Sequence, residues 1–269
     1  MAMPMKVTVI GLGYLGATHS VAMSKLGHRV IGIEQNQAKL AQLQKGQAGF
    51  FEPGLDSALV EELASGRLSF QASHDAASAE ADIHFLCVGT PQTEGSLAAD
   101  TSYLYSAITD LAPWLKPDSL VVGKSTVPVG TAKALTDKLS ELAGFPAALA
   151  WNPEFLREGN ALNDSLRPDR LVIGVSSELA EAKLREVYEP MIASGVPIIV
   201  TDLATAELVK SAANAFLATK ISFINAMAEI AEVSGADANL LATAIGFDER
   251  IGNKFLRNGV GFGGGCLPK

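Results

Sequence analysis

Six residues, Gly11-Leu12-Gly13-Tyr14-Leu15-Gly16, stand between an apolar run at 7–10 and a helical pattern at 14–26. Few backbones satisfy that order. The first glycine permits a tight turn out of a strand, the second lets main chain approach a ligand, and the third lets the following helix lie close on the strand. A pyrophosphate meeting that turn would face the free N–H groups at the start of the helix. Glu34 ends the next apolar run, where an acid can hold a ribose 2′-hydroxyl and repel a 2′-phosphate. The pattern therefore predicts a dinucleotide site that prefers NAD over NADP, built on Gly11, Gly13, Tyr14, Leu15, Gly16 and Glu34.

The first two hundred residues repeat the same alternation. Buried strands are expected at 7–10, 30–34, 83–88, 120–122, 171–175 and 198–200. Helices are expected near 14–26, 37–45, 57–64, 103–111, 131–142 and 179–188. Such alternation predicts an α/β fold, a Rossmann-type doubly wound parallel sheet covered by helices on both faces. From 204 to about 233 there is no Gly or Pro, and apolar residues recur at helical spacing from Leu208 to Ala228. A helix of that length would run roughly 45 Å, too long for a crossover and suited to a connector and a dimer surface. A shorter helix is expected at 238–245, then loop to the end. The expected division is 1–202, a dinucleotide-binding domain, and 203–269, the long connector and the start of an all-helical central domain.

Charge and composition narrow the function. A net charge of -8 argues against nucleic acid as a partner. No run of apolar residues is long enough for a membrane span or a signal peptide. Two cysteines far apart give neither a disulfide framework nor a zinc spacing, and the four histidines show no ligand spacing, so no metal site and a cytoplasmic location are expected. Cys87 and His84, inside an apolar strand, read as core residues, with His84 satisfied there.

Several groups could carry chemistry. Gly89-Thr90-Pro91 and Ser125-Thr126 each follow an expected strand, where ligands of open α/β sheets bind, so Thr90 and Thr126 are placed to offer hydroxyls; both could equally be turn formers. Glu154 and Glu158 are four apart and would share a face if their segment were helical, although such pairs are commonly just solvated. Lys210 and Asn214 lie one turn apart on the long helix. Lys210 has apolar neighbours and could donate to an oxyanion, or could simply extend its ammonium to the domain edge. Cys266 sits among glycines at 259–265, a setting that leaves a thiol accessible.

The motifs GLGYLG at 11–16, GTP at 89–91, STVPVGT at 125–131, NPEFLREG at 152–159, PDR at 168–170, ELVKSAANAFLATKISFINAMAEI at 207–230, RIGNKFL at 250–256 and GVGFGGGCLPK at 259–269 occur in one order along nearly the whole chain. In that combination the chain resembles the nucleotide-sugar dehydrogenases of the UDP-glucose/GDP-mannose dehydrogenase family. The resemblance implies a four-electron oxidation of a sugar C6 alcohol to an acid with two NAD in turn. By it, Cys266 is the nucleophile, Lys210 and Asn214 stabilise oxyanions, Glu154 is the base for thioester hydrolysis, and Thr126 positions a water. Gly89, Thr90, Pro91, Ser125, Thr126 and Glu158 join the cofactor site. Glu154, Phe155, Leu156, Glu158, Lys210, Asn214, Arg250, Phe255, Gly259 and Gly261 match substrate positions, with Arg250 offered to a neighbouring subunit. A homodimer or higher homo-oligomer follows, and the wording NPEFLREG and RIGNKFL favours UDP-glucose as substrate. The family also has an aspartate directly after Pro-Lys and a C-terminal UDP-binding domain. Neither lies within the 269 residues, so the piece alone is expected to be inactive. Two other readings fit the residues: a two-electron 6-phosphogluconate or hydroxyacid-type dehydrogenase, and an NAD-binding dimerisation fragment.

Overall fold

A computed structural model describes residues 3–263. Eight strands form one sheet: β1 (Lys6–Ile10), β2 (Arg29–Ile33), β3 (Leu68–Gln71), β4 (Ile83–Leu86), β5 (Leu120–Gly123), β6 (Ala148–Trp151), β7 (Leu171–Gly174) and β8 (Ile198–Thr201). Their order is β3-β2-β1-β4-β5-β6-β7-β8. The first six run parallel and reverse their winding between β1 and β4, so a crevice opens beyond the carboxyl ends of those two strands.

Helices alternate with the strands: α1 (Tyr14–Lys25), α2 (Gln37–Leu43), α3 (Leu55–Ala64), α4 (Ser102–Leu111), α5 (Thr131–Ala143), α6 (Ala161–Leu166), α7 (Glu178–Val187) and α8 (Glu189–Ala193). β1, β4 and β5 are almost continuously buried apolar segments, as strands covered on both faces must be.

The all-parallel expectation is corrected at one edge. β7 meets β6 antiparallel through Trp151 and Gly174, and β8 follows β7 in parallel. A parallel return requires a crossover long enough to carry the chain back along the sheet. The 152–170 segment has that length, yet it is tied beside the first turn of α1 by Glu52, which accepts from Gly159 N and Ala161 N, and the chain re-enters from the end at which it left. β3, β6, α6 and α8 were not expected as elements. β3, with the sequence Leu-Ser-Phe-Gln, and the short Ala-Leu-Ala-Trp of β6 carry weak strand signals of their own, and pairing with β2 and β5 supplies the rest.

The chain divides into two compact units, Met1–Glu94 with Ala98–Leu208, and Gly95–Leu97 with Val209–Lys269. The 32-residue helix α9 (Leu203–Ser234) starts in the first and continues through the second, followed by α10 (Ala238–Gly246). At 1.5 Å per residue α9 is about 48 Å long. Asp237 caps α10, its carboxylate accepting from the N–H groups of Asn239 and Leu240. Residues 253–263 form no further helix or strand. Among the described residues no helix is long and apolar enough to cross a membrane, and no cluster of three or more metal-ligating side chains occurs.

Cys87 is a buried core residue, as expected. His84 departs from expectation. Its Nδ1 bonds Thr8 Oγ1 at 2.7 Å, but its Nε2 is buried without a partner. Burial, with a lesser contribution from neighbouring His74, brings its pKa down from 6.5 to about 3. Between those values the unfolded chain binds a proton that the folded chain refuses. This site's contribution is therefore intact above pH 6.5 and is lost as pH falls toward 3, by about 1.4 kcal/mol per unit. Urea unfolding at pH 6.5, 5.5 and 4.5 is expected to give a shallower loss of stability for His84→Asn than for the wild type, by about that amount per unit. Parallel curves would remove His84 as a source of acid lability.

Candidate functional site

The glycine motif forms the start of α1 and the turn before it. Gly11 has φ of 85°, in the left-handed region. A Cβ at Gly16 would lie 1.9 Å from the Gly11 carbonyl oxygen, so the helix can approach the strand only with glycine there. Gly13 is different. It is the N-cap of α1, and a Cβ added to it meets nothing within 4 Å. Space is thus left in front of the first-turn N–H groups of α1, which have no intrahelical acceptors. The Glu34 carboxylate borders that space. It accepts from Leu12 N at 3.2 Å and Asn36 N at 3.0 Å, and lies 3.6 Å from Lys39 Nζ. A glycine-opened helix N-terminus beside an anchored acid fits the pyrophosphate and ribose of NAD.

Three more loops leave the carboxyl ends of β4, β5 and β6. Thr90 is buried, and its hydroxyl donates to Thr126 O at 2.7 Å. Ser125, also buried, donates to Val88 O at 2.6 Å. These hydroxyls tie the β4 and β5 loops together. Gly89 and Pro91 are exposed on the β4 loop, and Thr126 is partly exposed between them and β6.

The loop after β6 is not helical, so Glu154 and Glu158 do not share a helix face. Glu154 Oε2 accepts from Leu156 N at 2.6 Å, which curls the loop on itself. Phe155 is held under the Arg170 guanidinium, whose carbon lies 3.9 Å from the ring centroid. Glu154, Phe155 and Leu156 are half-buried and line a small chamber with Leu15 of α1, while Glu158 is exposed.

Two anchors were missed as individual residues, although Asn152 opens the NPEFLREG motif. Glu52, buried in the turn before α3, accepts from Tyr14 OH, from Gly159 N at 2.9 Å and from Ala161 N at 2.8 Å. It fastens the loop carrying Glu158 to the first turn of α1. Burial and this carboxylate hold the Tyr14 hydroxyl protonated, above its ordinary range. The second is Asn152, whose amide joins Lys124, Tyr188 and Val172. Glu207, near the start of α9, caps α5 by accepting from Gly130 N at 2.7 Å and Ala132 N at 2.6 Å.

In the second unit, Lys210 and Asn214 lie on α9, one turn apart; Lys210 is 5% exposed and Asn214 half-buried. Farther along α9, Lys220 Nζ donates to Ile251 O at 2.9 Å, and Asn225 Oδ1 accepts from Gly259 N at 2.9 Å. These bonds hold the 250–259 segment to the helix. Phe255 has φ of 64°, unusual for a residue with a Cβ, and its neighbour Leu256 is buried. Arg250 is exposed and paired with Asp248 at 2.6 Å. Gly259 and Gly261 are exposed. Cys266 lies outside the described residues.

Residues 5–192 match the UDP-glucose/GDP-mannose dehydrogenase family's NAD binding domain, and residues 204–269 match its central domain. The chain belongs to the UDP-glucose/GDP-mannose dehydrogenase family. Its cofactor is NAD, in agreement with the glycine turn and Glu34. A UDP-glucose 6-dehydrogenase of Rhizobium meliloti (strain 1021) is 45% identical over 98% of this chain and 61% of its own length. The UDP-glucose 6-dehydrogenase YwqF of Bacillus subtilis (strain 168) is 43% identical over 98% of this chain and 60% of its own. The solved structure of a UDP-glucose dehydrogenase from Pyrobaculum islandicum superposes with a TM-score of 0.93 at 42% identity, covering 99% of this chain and 62% of that one. The chain thus spans about six tenths of the length of the relatives it matches.

The two inner glycines make separable predictions. Gly13→Ala places its methyl in open space, so thermal stability is expected to hold while calorimetric NAD affinity falls about tenfold or more. Gly16→Ala forces helix from strand and is expected to cost roughly 1–3 kcal/mol in urea unfolding. Unchanged NAD affinity in Gly13→Ala would remove the pyrophosphate from this turn.

Proposed function

We propose that the chain is the cofactor-binding and partial central portion of an enzyme that oxidises the C6 alcohol of UDP-glucose to the acid, giving UDP-glucuronate. The observation that carries this reading is the glycine-opened start of α1 beside Glu34, ringed by the β4, β5 and β6 loops, in a chain of this family. Sequence similarity to the UDP-glucose 6-dehydrogenases favours UDP-glucose among nucleotide sugars, and favours this chemistry over a two-electron hydroxyacid-type reaction.

NAD, when bound, accepts a hydride from carbon in each of two oxidation steps. Residues of the chain do the rest. The Cys266 thiolate adds to the C6 aldehyde left by the first oxidation, forming a thiohemiacetal whose oxygen takes up a proton. The second oxidation removes hydride from that carbon and a proton from its oxygen, leaving a thioester. Glu154 takes a proton from water as the water attacks, and the carbon–sulfur bond breaks to release the carboxylate and the thiol. Lys210 and Asn214 donate hydrogen bonds to the oxyanion of each tetrahedral stage. Thr126 positions the water, and Glu158 borders cofactor and substrate. Phe155, Leu156, Phe255, Gly259 and Gly261 cradle the sugar nucleotide, and Arg250 reaches the sugar of a neighbouring subunit. Phe216, Phe223 and Ile230 recur every seventh residue on α9 and are exposed, which supports a homodimer or higher homo-oligomer built on that helix.

In the full-length protein, two NADH are expected per sugar nucleotide consumed, and Cys266→Ser is expected to abolish acid formation while NAD still binds in calorimetry. A steady-state NADH yield unaffected by that substitution would end the covalent reading. Lys210→Ala is expected to lower turnover by about two orders of magnitude, the scale of losing an oxyanion donor. Turnover within about twofold of wild type would take Lys210 out of the chemistry.

A further inference from the structure

The β4 and β5 loops are tied by hydroxyls, but the β5 and β6 loops are tied by a charge. Lys124 directly follows β5 and is 7% exposed. Its Nζ donates to Asn152 Oδ1 at 2.8 Å and to Asn152 O at 3.3 Å. The same Oδ1 accepts from Tyr188 OH at 2.7 Å, while Asn152 Nδ2 donates to Val172 O at 2.7 Å. The amide and carbonyl of Asn152 are therefore fixed together, two residues before Glu154. From 152 to 157 the loop has no helix or strand to hold it.

A buried ammonium is a costly way to pin a loop, and an apolar side chain of similar volume is often as stable or more so. Burial brings the Lys124 pKa down from 10.5 to about 8, against the opposing pull of Cys87 and Glu154. The groups facing it are Cys87 just beyond β4, His19 on α1, Tyr188 at the end of α7, and Glu154. Burial holds the Cys87 thiol protonated, up to about 12, keeps His19 neutral, and keeps the Tyr188 hydroxyl protonated. Glu154 is the neighbour of opposite charge. Lys124, Asn152, His19 and Glu154 all border one chamber of about 60 Å³.

We propose that Lys124 is a positioning residue for Glu154, its ammonium locking Asn152 and supplying the counter-charge that keeps the Glu154 loop registered against the Thr126 loop. This rests on the reading of Glu154 as the base for thioester hydrolysis. A lysine present for packing alone would be replaceable by methionine without cost to turnover.

The test is a cycle of Lys124→Met, Glu154→Gln and the double variant in the full-length protein. Lys124→Met is expected to lower kcat about tenfold with KM for NAD and for UDP-glucose within about twofold, and to cause no further loss in the Glu154→Gln background. In the ligand-free protein, hydrogen exchange of the 154–157 amides is expected to quicken about tenfold in Lys124→Met while that of β4 stays unchanged. Tyr188→Phe, which removes one donor to Asn152 and keeps the ring, should give the same pattern at smaller amplitude, and stands in if Lys124→Met does not fold. Equal losses in both Glu154 backgrounds, or unaltered exchange of the loop, overturn the proposal alone. Wild-type turnover in Glu154→Gln overturns the base assignment and the proposal with it.

Discussion

The close approach of α1 to the ends of β1 and β4 is the constraint from which the first unit is built. Gly16 lies against the carbonyl of Gly11 at a distance that any side chain would forbid. A Cβ at Gly11 would in turn strike Val88, on the loop after β4. Two strands and one helix therefore converge where the strand order reverses. The N–H groups of the helix and the carboxyl ends of the strands then border one crevice. Every other loop of this unit's candidate site takes its place from that junction.

Around the junction, buried polar side chains do the joining that a sheet ladder cannot. Hydrogen bonds of the parallel ladder end with β4, β5 and β6, yet the segments beyond them stay ordered. Ser125 and Thr90 cross-link the first two loops, Lys124 and Asn152 the next, and Glu52 fastens the far end of the β6 loop to Tyr14. Each buried carboxylate in this set is met by backbone N–H groups: Glu52 by Gly159 and Ala161, Glu207 by Gly130 and Ala132. Burial raises the Glu207 pKa against the opposing pull of its two N–H partners, and removing the partners of a buried carboxyl group would be severely destabilising. The loops near the site are thus cross-linked by side chains with exacting partner requirements rather than by added secondary structure.

The second unit uses a simpler device. α9 continues for 32 residues without Gly or Pro, and it offers Lys220 and Asn225 as hooks for the irregular segment from Ile251 to Gly259. The chain can then carry glycines and a left-handed Phe255 without a strand or helix to support them. Phe216, Phe223 and Ile230 stand exposed along α9 at seven-residue spacing.

Local sequence determined the glycine turn, the acid just after β2, six of the eight strands closely, and the span of α9, because each depends on a short-range rule: φ freedom, apolar runs, or the absence of Gly and Pro. It also placed Thr126 on the loop after β5 and Lys210 and Asn214 on the long helix, whereas the irregular backbone at Glu154 has no local signature. Tertiary structure alone decided the rest. The direction of β7 went with the tie of the 152–170 segment to Glu52, the hydroxyl of Thr90 turned to a carbonyl 36 residues away, and His84 kept one ring nitrogen unpaired. Glu52 looks like a surface acid beside Pro53-Gly54, and Lys124 like a solvated end to a strand. Their roles arise only when partners distant in sequence arrive, because the cost of burying a charge, and the bonds that offset it, belong to the assembled fold and to no local stretch of chain.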